Sequence, residues 1–186
     1  KQIGAHWADM FNKKGYRTAC IGKWDVSNRK PIVERMPNAQ GFDYYFGALG
    51  ANDNGRVAFH ENNDKAGSTD DMGSLTTLYT DKAITYLADK RDPNKPFLLY
   101  VAHTMMHTII DASDRFRGKS AGGLYGDVVE EFDYETGRLL DALDEHGLSD
   151  NTLVIYITGY NGASVEGDRT GQWTWDHYLN GSVVPP

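Results

Sequence analysis

Two uninterrupted apolar segments constrain the fold of this chain more than any other feature of its sequence. They lie at residues 97–102 and 152–158 and consist mainly of aliphatic and aromatic side chains. Continuous apolar runs of this length are typical of parallel strands covered on both faces, because a half-exposed strand would alternate apolar and polar residues. We therefore predict two buried, central strands of a mainly parallel sheet.

Helical patterns alternate with these strands along the chain. Four apolar residues spaced mostly three or four positions apart predict an amphipathic helix that ends before Gly15: Ile3, Trp7, Met10 and Phe11. A short strand is expected at residues 18–21. A second helix is predicted from Ser74 to just before Pro93, since a proline disfavours helical conformation in the residue that precedes it. The order helix, strand, helix, strand predicts an α/β fold with a mainly parallel sheet flanked by helices.

Residues 123–147 carry the clearest helical pattern, and residues 27–71 the least regular one. The apolar stripe of the helical segment includes Leu124, Val128 and Leu143. Its acidic residues are expected to face water: Asp127, Glu130, Glu131, Asp141 and Asp144. Residues 27–71 are rich in Gly, Pro, Asn and Asp, and we predict loops around an aromatic cluster.

Length, charge and cysteine content limit the class of protein. The chain has 186 residues, of which 40% are hydrophobic, and we expect one domain spanning residues 1–186. A formal net charge of −7 disfavours a nucleic-acid partner. Cys20 is the only cysteine, which excludes an intrachain disulfide. No apolar run approaches the roughly 18 residues of a membrane-spanning helix, and the sequence alone does not assign a cellular compartment.

Ligands of parallel α/β sheets bind at the carboxyl ends of the strands, so the residues that follow each predicted strand are the candidates for function. Lys23 follows the first strand, where it is either a partner for an oxyanion or a solvated lysine. His103 and His107 follow the strand at residues 97–102. They are candidate proton donors or anion contacts, although one or both could be structural. Two histidines without a third ligand define no metal site.

Oxygen-bearing side chains in turns are candidates for cation ligands. Asn161 ends the last predicted strand, where its amide oxygen could coordinate calcium, but an Asn before Gly also commonly forms a turn. The acidic segments at residues 52–55 and 70–71 lack the alternating ligands of an EF-hand. We interpret these two segments as solvated turns.

Several segments, in this order, resemble the type I sulfatase family, and the similarity extends over about residues 1–166. Residues 15–24, which end in Gly22-Lys23-Trp24, resemble the family's Gly-Lys-Trp-His segment, and residues 41–47 resemble its Gly-Phe-Asp motif. Residues 95–103, with His107 beyond them, resemble its strand that carries a substrate-site histidine. Two further segments continue in register: residues 116–120 and 123–127.

The resemblance implies an alkaline-phosphatase-like α/β fold and hydrolysis of aryl or carbohydrate sulfate esters. It implies that Lys23 contacts the sulfate and that His107 donates a proton near the leaving group, with His103 and Asp25 close to the substrate. It also implies one calcium ion, with Asn161 as a ligand, and a formylglycine made from the Cys of a Cys-x-Pro-x-Arg motif. The expected partner is a sulfated small molecule or glycan.

Departures from the family pattern bear on activity. Cys20 does not lie in a Cys-x-Pro-x-Arg motif, so this chain contains no residue that could become formylglycine. Asp25 stands where the family has a histidine, and an anion there opposes sulfate binding. Tyr160 stands where the family has a calcium-binding Asp, and a phenol is a poor calcium ligand. The family's first strand and its metal-binding Asp pair would lie before Lys1.

Two hypotheses of different classes follow from these observations. In the first, the chain is a part of a sulfatase, or a divergent member of the family, and the isolated chain is inactive and binds no calcium. In the second, it is a non-catalytic sulfatase-like domain that binds a sulfated glycan or a protein partner. Because the family's first strand is missing from this sequence, we also expect the sheet to expose an unpaired edge that associates with another chain.

Overall fold

The computed structural model describes residues 7–157, which form one sheet with helices packed against it. The helices are α1 (Trp7–Lys13), α2 (Leu75–Thr85) and α3 (Gly123–Glu145). The strands are β1 (Arg17–Gly22), β2 (Tyr44–Ala48), β3 (Val57–Glu61), β4 (Asp64–Thr69) and β5 (Phe97–Ala102). The three predicted helices are confirmed for the described residues, and so is the first predicted strand.

The strand order in the sheet is β4-β3-β2-β1-β5. β1 pairs in parallel with both β2 and β5, whereas β3 pairs antiparallel with β2 and with β4. The prediction of a mainly parallel α/β sheet is therefore confirmed, with an antiparallel hairpin added at one side. Because β5, β1 and β2 run in the same direction, their carboxyl ends lie at one edge of the sheet. We call it the carboxyl edge.

The core forms where α2 and α3 pack on each other and on the sheet. Ile21 of β1, Leu75 and Tyr79 of α2 and Val128 of α3 are almost fully buried in one cluster. A second cluster around Tyr45 packs against Ala8 of α1. The apolar residues of β1 thus face packed layers on both sides, which holds the residues that follow β1 in a fixed position.

The prediction of loops for residues 27–71 is wrong, because this segment contains β2, β3 and β4. β2 lies within the aromatic cluster recognised in the sequence, so its apolar residues suit a buried strand. β4 is exposed along most of its length and has no apolar pattern. It forms because it pairs with β3 through a tight turn in which Asn62 adopts a left-handed conformation, with φ of 53°.

Two acidic residues of α3 that were expected to face water are buried. Asp127 accepts hydrogen bonds from the backbone N–H groups of Gly118, Lys119 and Ser120 at 2.7, 3.0 and 2.7 Å. These bonds, that from Ser120 foremost, lower the pKa of Asp127. Glu131 accepts a hydrogen bond from the backbone N–H of Ser113 at 2.8 Å. Both carboxylates satisfy backbone donors of the loop before α3, a requirement that helical periodicity does not reveal.

The two apolar segments, residues 97–102 and 152–158, differ from the prediction of buried, central strands. β5 is a strand, but among residues 7–157 it pairs only with β1 and lies at the side of the sheet, so its central position is not confirmed. Residues 152–157 form no strand, and Leu153 and Ile157 are 84% and 81% exposed. A strand needs a neighbour for its backbone groups, and no described strand lies beyond β5. Thr158 falls outside the described residues.

No helix within residues 7–157 has both the length and the apolar character needed to cross a membrane.

Candidate functional site at the carboxyl edge

Three segments meet the carboxyl edge, each directly after a parallel strand. Residues 23–29 follow β1, residues 49–55 follow β2 and residues 103–109 follow β5. Ligands of parallel sheets bind at the carboxyl ends of strands, which we call the strand-end rule. Two of these three segments were identified from the sequence, and the segment after β2 was not.

Close backbone packing fixes the position of Lys23. Gly22 has φ of +109°, and a Cβ atom there would lie 2.0 Å from the carbonyl oxygen of Ala102, so only glycine fits. The Lys23 N–H then donates to the Ala102 oxygen at 2.8 Å, and the Trp24 N–H donates to the Ala48 oxygen at 2.7 Å. The chain thus leaves β1 bonded to both neighbouring strands, and Lys23 lies between their ends.

Five charged or ionisable side chains form a continuous series of contacts at the carboxyl edge, three of them ion pairs and the last a contact between a histidine and a carboxylate. Lys23 Nζ lies 3.5 Å from Asp25 Oδ2, and Arg29 Nε lies 3.1 Å from Asp25 Oδ1. Arg29 Nη1 lies 3.0 Å from Asp53 Oδ2, and His107 Nδ1 lies 3.4 Å from Asp53 Oδ1. We call Lys23, Asp25, Arg29, Asp53 and His107 the charge network. With His107 neutral, it contains two positive and two negative charges.

Lys23 is the most shielded cation of the charge network, since its side chain is 22% exposed and that of Arg29 is 56% exposed. Lysines are seldom buried to this degree without a partner, and the nearest described carboxylate, Asp25, is at ion-pair rather than hydrogen-bond geometry. The ammonium group of Lys23 therefore keeps donors that an incoming anion can use.

His107 is held from two sides. Its Nδ1 lies 2.6 Å from the carbonyl oxygen of Thr108, which can only accept, so Nδ1 carries the proton and Nε2 is the nitrogen left for a ligand. Asn52, which is fully buried, donates through Nδ2 to the carbonyl oxygens of His107 and Ile109 at 3.1 and 2.6 Å. The backbone of the His107 loop is thereby fixed to the turn that carries Asp53.

His103 lies outside the charge network, although it follows the same strand as His107. Its ring packs edge-on against Phe132 and Tyr79, with ring centroids 4.9 and 6.2 Å away. Burial lowers the pKa of His103 to about 4, so the ring is neutral near pH 7. Its Nδ1 is shielded from solvent and has no hydrogen-bond partner among residues 7–157.

A surface cavity of about 430 Å³ is lined in part by Gly55 and Ile109, each two positions along the chain from a residue of the charge network, Asp53 and His107 respectively. Its lining also includes the carboxylates of Asp70, Asp71 and Asp111. These carboxylates disfavour an anionic group in the cavity itself, because like charges that face each other repel.

In the described part of the chain, the cysteine is not available as a nucleophile, and no cluster of metal-ligating side chains is found. Cys20 is fully buried in β1, and burial raises the pKa of its thiol, which makes it unreactive. Within residues 7–157 no group of three or more His, Cys, Asp or Glu side chains could hold a metal ion. Asn161 and Tyr160, the sequence candidates for calcium binding, lie outside the described residues.

Sequence reasoning missed Arg29, Asn52 and Asp53. The interpretation of residues 52–55 as a solvated turn is wrong for Asn52, which is buried, and incomplete for Asp53, which bridges Arg29 and His107. The signal that could have identified them is their position directly after a parallel strand. That signal was hidden because β2 had been predicted as a loop.

Comparisons with known proteins match most of this chain. The family model described as Sulfatase matches residues 7–184. The N-acetylgalactosamine-6-sulfatase of Mus musculus is 33% identical over 179 residues, which cover 84% of this chain and 32% of that protein. The chain thus spans about a third of the length of the curated relatives it matches first.

Solved structures show the same fold. A structure described in work on glycosaminoglycan metabolism by Bacteroides thetaiotaomicron superposes with a TM-score of 0.64 at 23% identity, covering 78% of this chain and 43% of that one. A second, described as in complex with its substrate D-glucosamine-2-N,6-O-disulfate, superposes with a TM-score of 0.55 at 18% identity, covering 77% of this chain and 47% of that one.

Proposed function

Because this chain belongs to the sulfatase family, we propose that its charge network binds the sulfate group of an aryl or carbohydrate sulfate ester, as part of a site for sulfate ester hydrolysis. The observation that carries the proposal is the mostly buried Lys23, held at the carboxyl edge within one continuous network with His107. A cation with free donors in a partly desolvated site is suited to an oxyanion, since its electrostatic attraction is less screened there than in water.

The residues of the charge network take separate roles in this proposal. Lys23 contacts the sulfate oxygens. His107 faces the leaving-group oxygen through Nε2 and, when doubly protonated, donates a proton to it as the ester bond breaks. Asp25 restrains the Lys23 ammonium group at 3.5 Å. The role of His103 as a substrate contact stays a prediction, and its ring, which is neutral near pH 7, suits an uncharged hydrogen bond better than an ion pair.

We expect the isolated chain to bind a sulfate ester without hydrolysing it. Cys20 is the only cysteine and is buried, so the chain has no residue that could supply the formylglycine that the family resemblance implies. This observation also favours the alternative function, a non-catalytic sulfatase-like domain that binds a sulfated glycan or a protein partner. For calcium, which the resemblance also implies, we propose that residues 7–157 alone do not hold the ion.

The proposal is tested by calorimetric titration of the chain with phenyl sulfate and, in parallel, with phenol. Phenyl sulfate is expected to bind and phenol is not, because the two ligands differ only in the group that the charge network contacts. Released phenol, followed by absorbance, is expected to stay at the level of the uncatalysed reaction. Equal heats from both ligands would contradict a sulfate site, and turnover would contradict the absence of a nucleophile.

We further propose that the free side of β5 associates with another chain, including a second copy of this one. Within residues 7–157, β5 has a partner on one side only, and Tyr100 at its centre is 39% exposed. An open, apolar strand edge is a template for pairing. Sedimentation velocity is expected to show concentration-dependent association that Tyr100→Lys weakens, because a lysine on an edge strand opposes pairing. A concentration-independent monomer would contradict the proposal.

A further inference from the structure

The negative charge of Asp25 opposes the binding of sulfate beside Lys23, and Arg29 is positioned to neutralise that charge. Asp25 lies 3.5 Å from Lys23, where its negative charge opposes an incoming anion. Arg29 donates two hydrogen bonds to the same carboxylate, from Nε to Oδ1 at 3.1 Å and from Nη2 to Oδ2 at 3.4 Å. A two-point contact of this kind is the strongest geometry that a guanidinium group makes with a carboxylate.

The backbone around Arg29 supports this position. Asn28 and Arg29 both adopt left-handed backbone conformations, with φ of 58° and 55°, which residues other than glycine rarely adopt. These two residues turn the chain back after the helical turn at Asp25–Ser27, so that Arg29 faces Asp25 again. The aliphatic part of Arg29 packs over Gly50, where a Cβ atom would meet it at 3.4 Å. Strained backbone of this kind is often found at functional sites.

The guanidinium group of Arg29 keeps free donors after its bonds to the two carboxylates. It has five N–H groups, of which three are used: two for Asp25 and one for Asp53. Two N–H groups therefore have no partner among residues 7–157. The side chain is 56% exposed, so a ligand in solution can reach them.

We propose that Arg29 is a second anion-binding residue of this site, which neutralises Asp25 and directs its two remaining N–H groups to the sulfate bound by Lys23. The inference rests on the proposed function. It assigns the ligand contact to a residue four positions after Asp25, where the chain compensates for the negative charge beside Lys23. Arg29 would bind the anion in place and would not take part in proton transfer.

The test is calorimetric titration of phenyl sulfate into the wild-type chain, Arg29→Met and the double variant Asp25→Asn/Arg29→Met. Arg29→Met is expected to lower the affinity about tenfold, the loss of a hydrogen bond to a charged group. The double variant has the same formal charge in the network as the wild type, because one cation and one anion are removed together. If Arg29 contacts the sulfate, the double variant stays weak.

Arg138→Met is the matched control. Arg138 also bridges two carboxylates, those of Glu135 and Asp81 at 2.7 and 2.8 Å, but it lies on α3 outside the charge network. Its replacement is expected to leave the affinity unchanged. Wild-type affinity in Arg29→Met, or its recovery in the double variant, would overturn the inference while the sulfate site stands. A wild-type chain that does not bind phenyl sulfate would overturn both.

Discussion

Gly47→Ala is expected to destabilise the protein by about 3 kcal/mol or more, at the upper end of what overpacking costs. An alanine Cβ at this position would lie 1.7 Å from the carbonyl oxygen of Gly22 and 2.6 Å from its carbonyl carbon. Both atoms belong to the backbone of the neighbouring strand and cannot rotate away. β1 and β2 would have to separate at the residue before Lys23, so the substitution is expected to displace the site as well as weaken the sheet.

Gly137→Ala is the control for Gly47→Ala. Gly137 lies within α3, and, apart from adjacent residues and the backbone of the helix itself, no atom of the described residues lies within 4 Å of the position where its Cβ would be. Alanine there is expected to stabilise the protein by about 0.5–1 kcal/mol, because glycine is a poor helix former. Urea denaturation measures both variants. A Gly47→Ala variant as stable as the wild type would show that the two strands are not as close as the structure has them.

Lys23→Met is expected to lower the affinity for phenyl sulfate by at least about tenfold, since it removes charge-assisted hydrogen bonds to the sulfate. Methionine retains the apolar part of the side chain, and the backbone bonds of residues 23 and 24 to the ends of β5 and β2 are expected to persist. Asp25 would also lose its lysine partner, which adds an unopposed negative charge beside the ligand. Calorimetric titration against the wild-type chain measures the effect.

Lys13→Met removes the same charge outside the charge network, at the end of α1 that precedes the start of β1. Lys13 pairs with Asp9 at 2.6 Å on α1, and its side chain is 68% exposed. Its replacement is expected to leave the affinity for phenyl sulfate within experimental error, because exposed charges outside a site are screened by solvent and salt. An equal loss of affinity in both variants would mean that net charge, and not Lys23, attracts the ligand.

Local pattern was sufficient to predict the elements whose burial is periodic or continuous. α3 and β5 were recognised for this reason. β4 could not be recognised, because its residues are exposed and it exists only through pairing with β3. The predicted strand is not formed by residues 152–157 for a related reason. Apolar character predicts that a segment prefers burial, but pairing in a sheet requires a neighbour that the segment itself does not specify.

Residues of the candidate site could be predicted only where the strand that precedes them could be predicted. Lys23 and His107 follow strands with clear apolar runs, so the strand-end rule found them. Asp53 follows β2, which had been predicted as a loop, and its turn therefore received no functional interpretation. Arg29 reaches the site because Asn28 and Arg29 adopt left-handed backbone conformations, which turn the chain back toward Asp25. No side-chain pattern in the sequence indicates that turn, and the contact of Arg29 with Asp25 is visible only in the folded structure.

The most direct measurement is a map of backbone amide chemical-shift changes in the chain as phenyl sulfate is added. We expect the largest changes at Lys23, Asp25, Arg29, Asp53 and His107, where the charge network spans the carboxyl edge. The opposite edge offers a competing cavity of about 370 Å³, lined by the cations Arg17, Lys90 and Arg91 together with Asp43 and Asp92. Changes confined to those three residues, with the charge network unaffected, would contradict the proposed sulfate site.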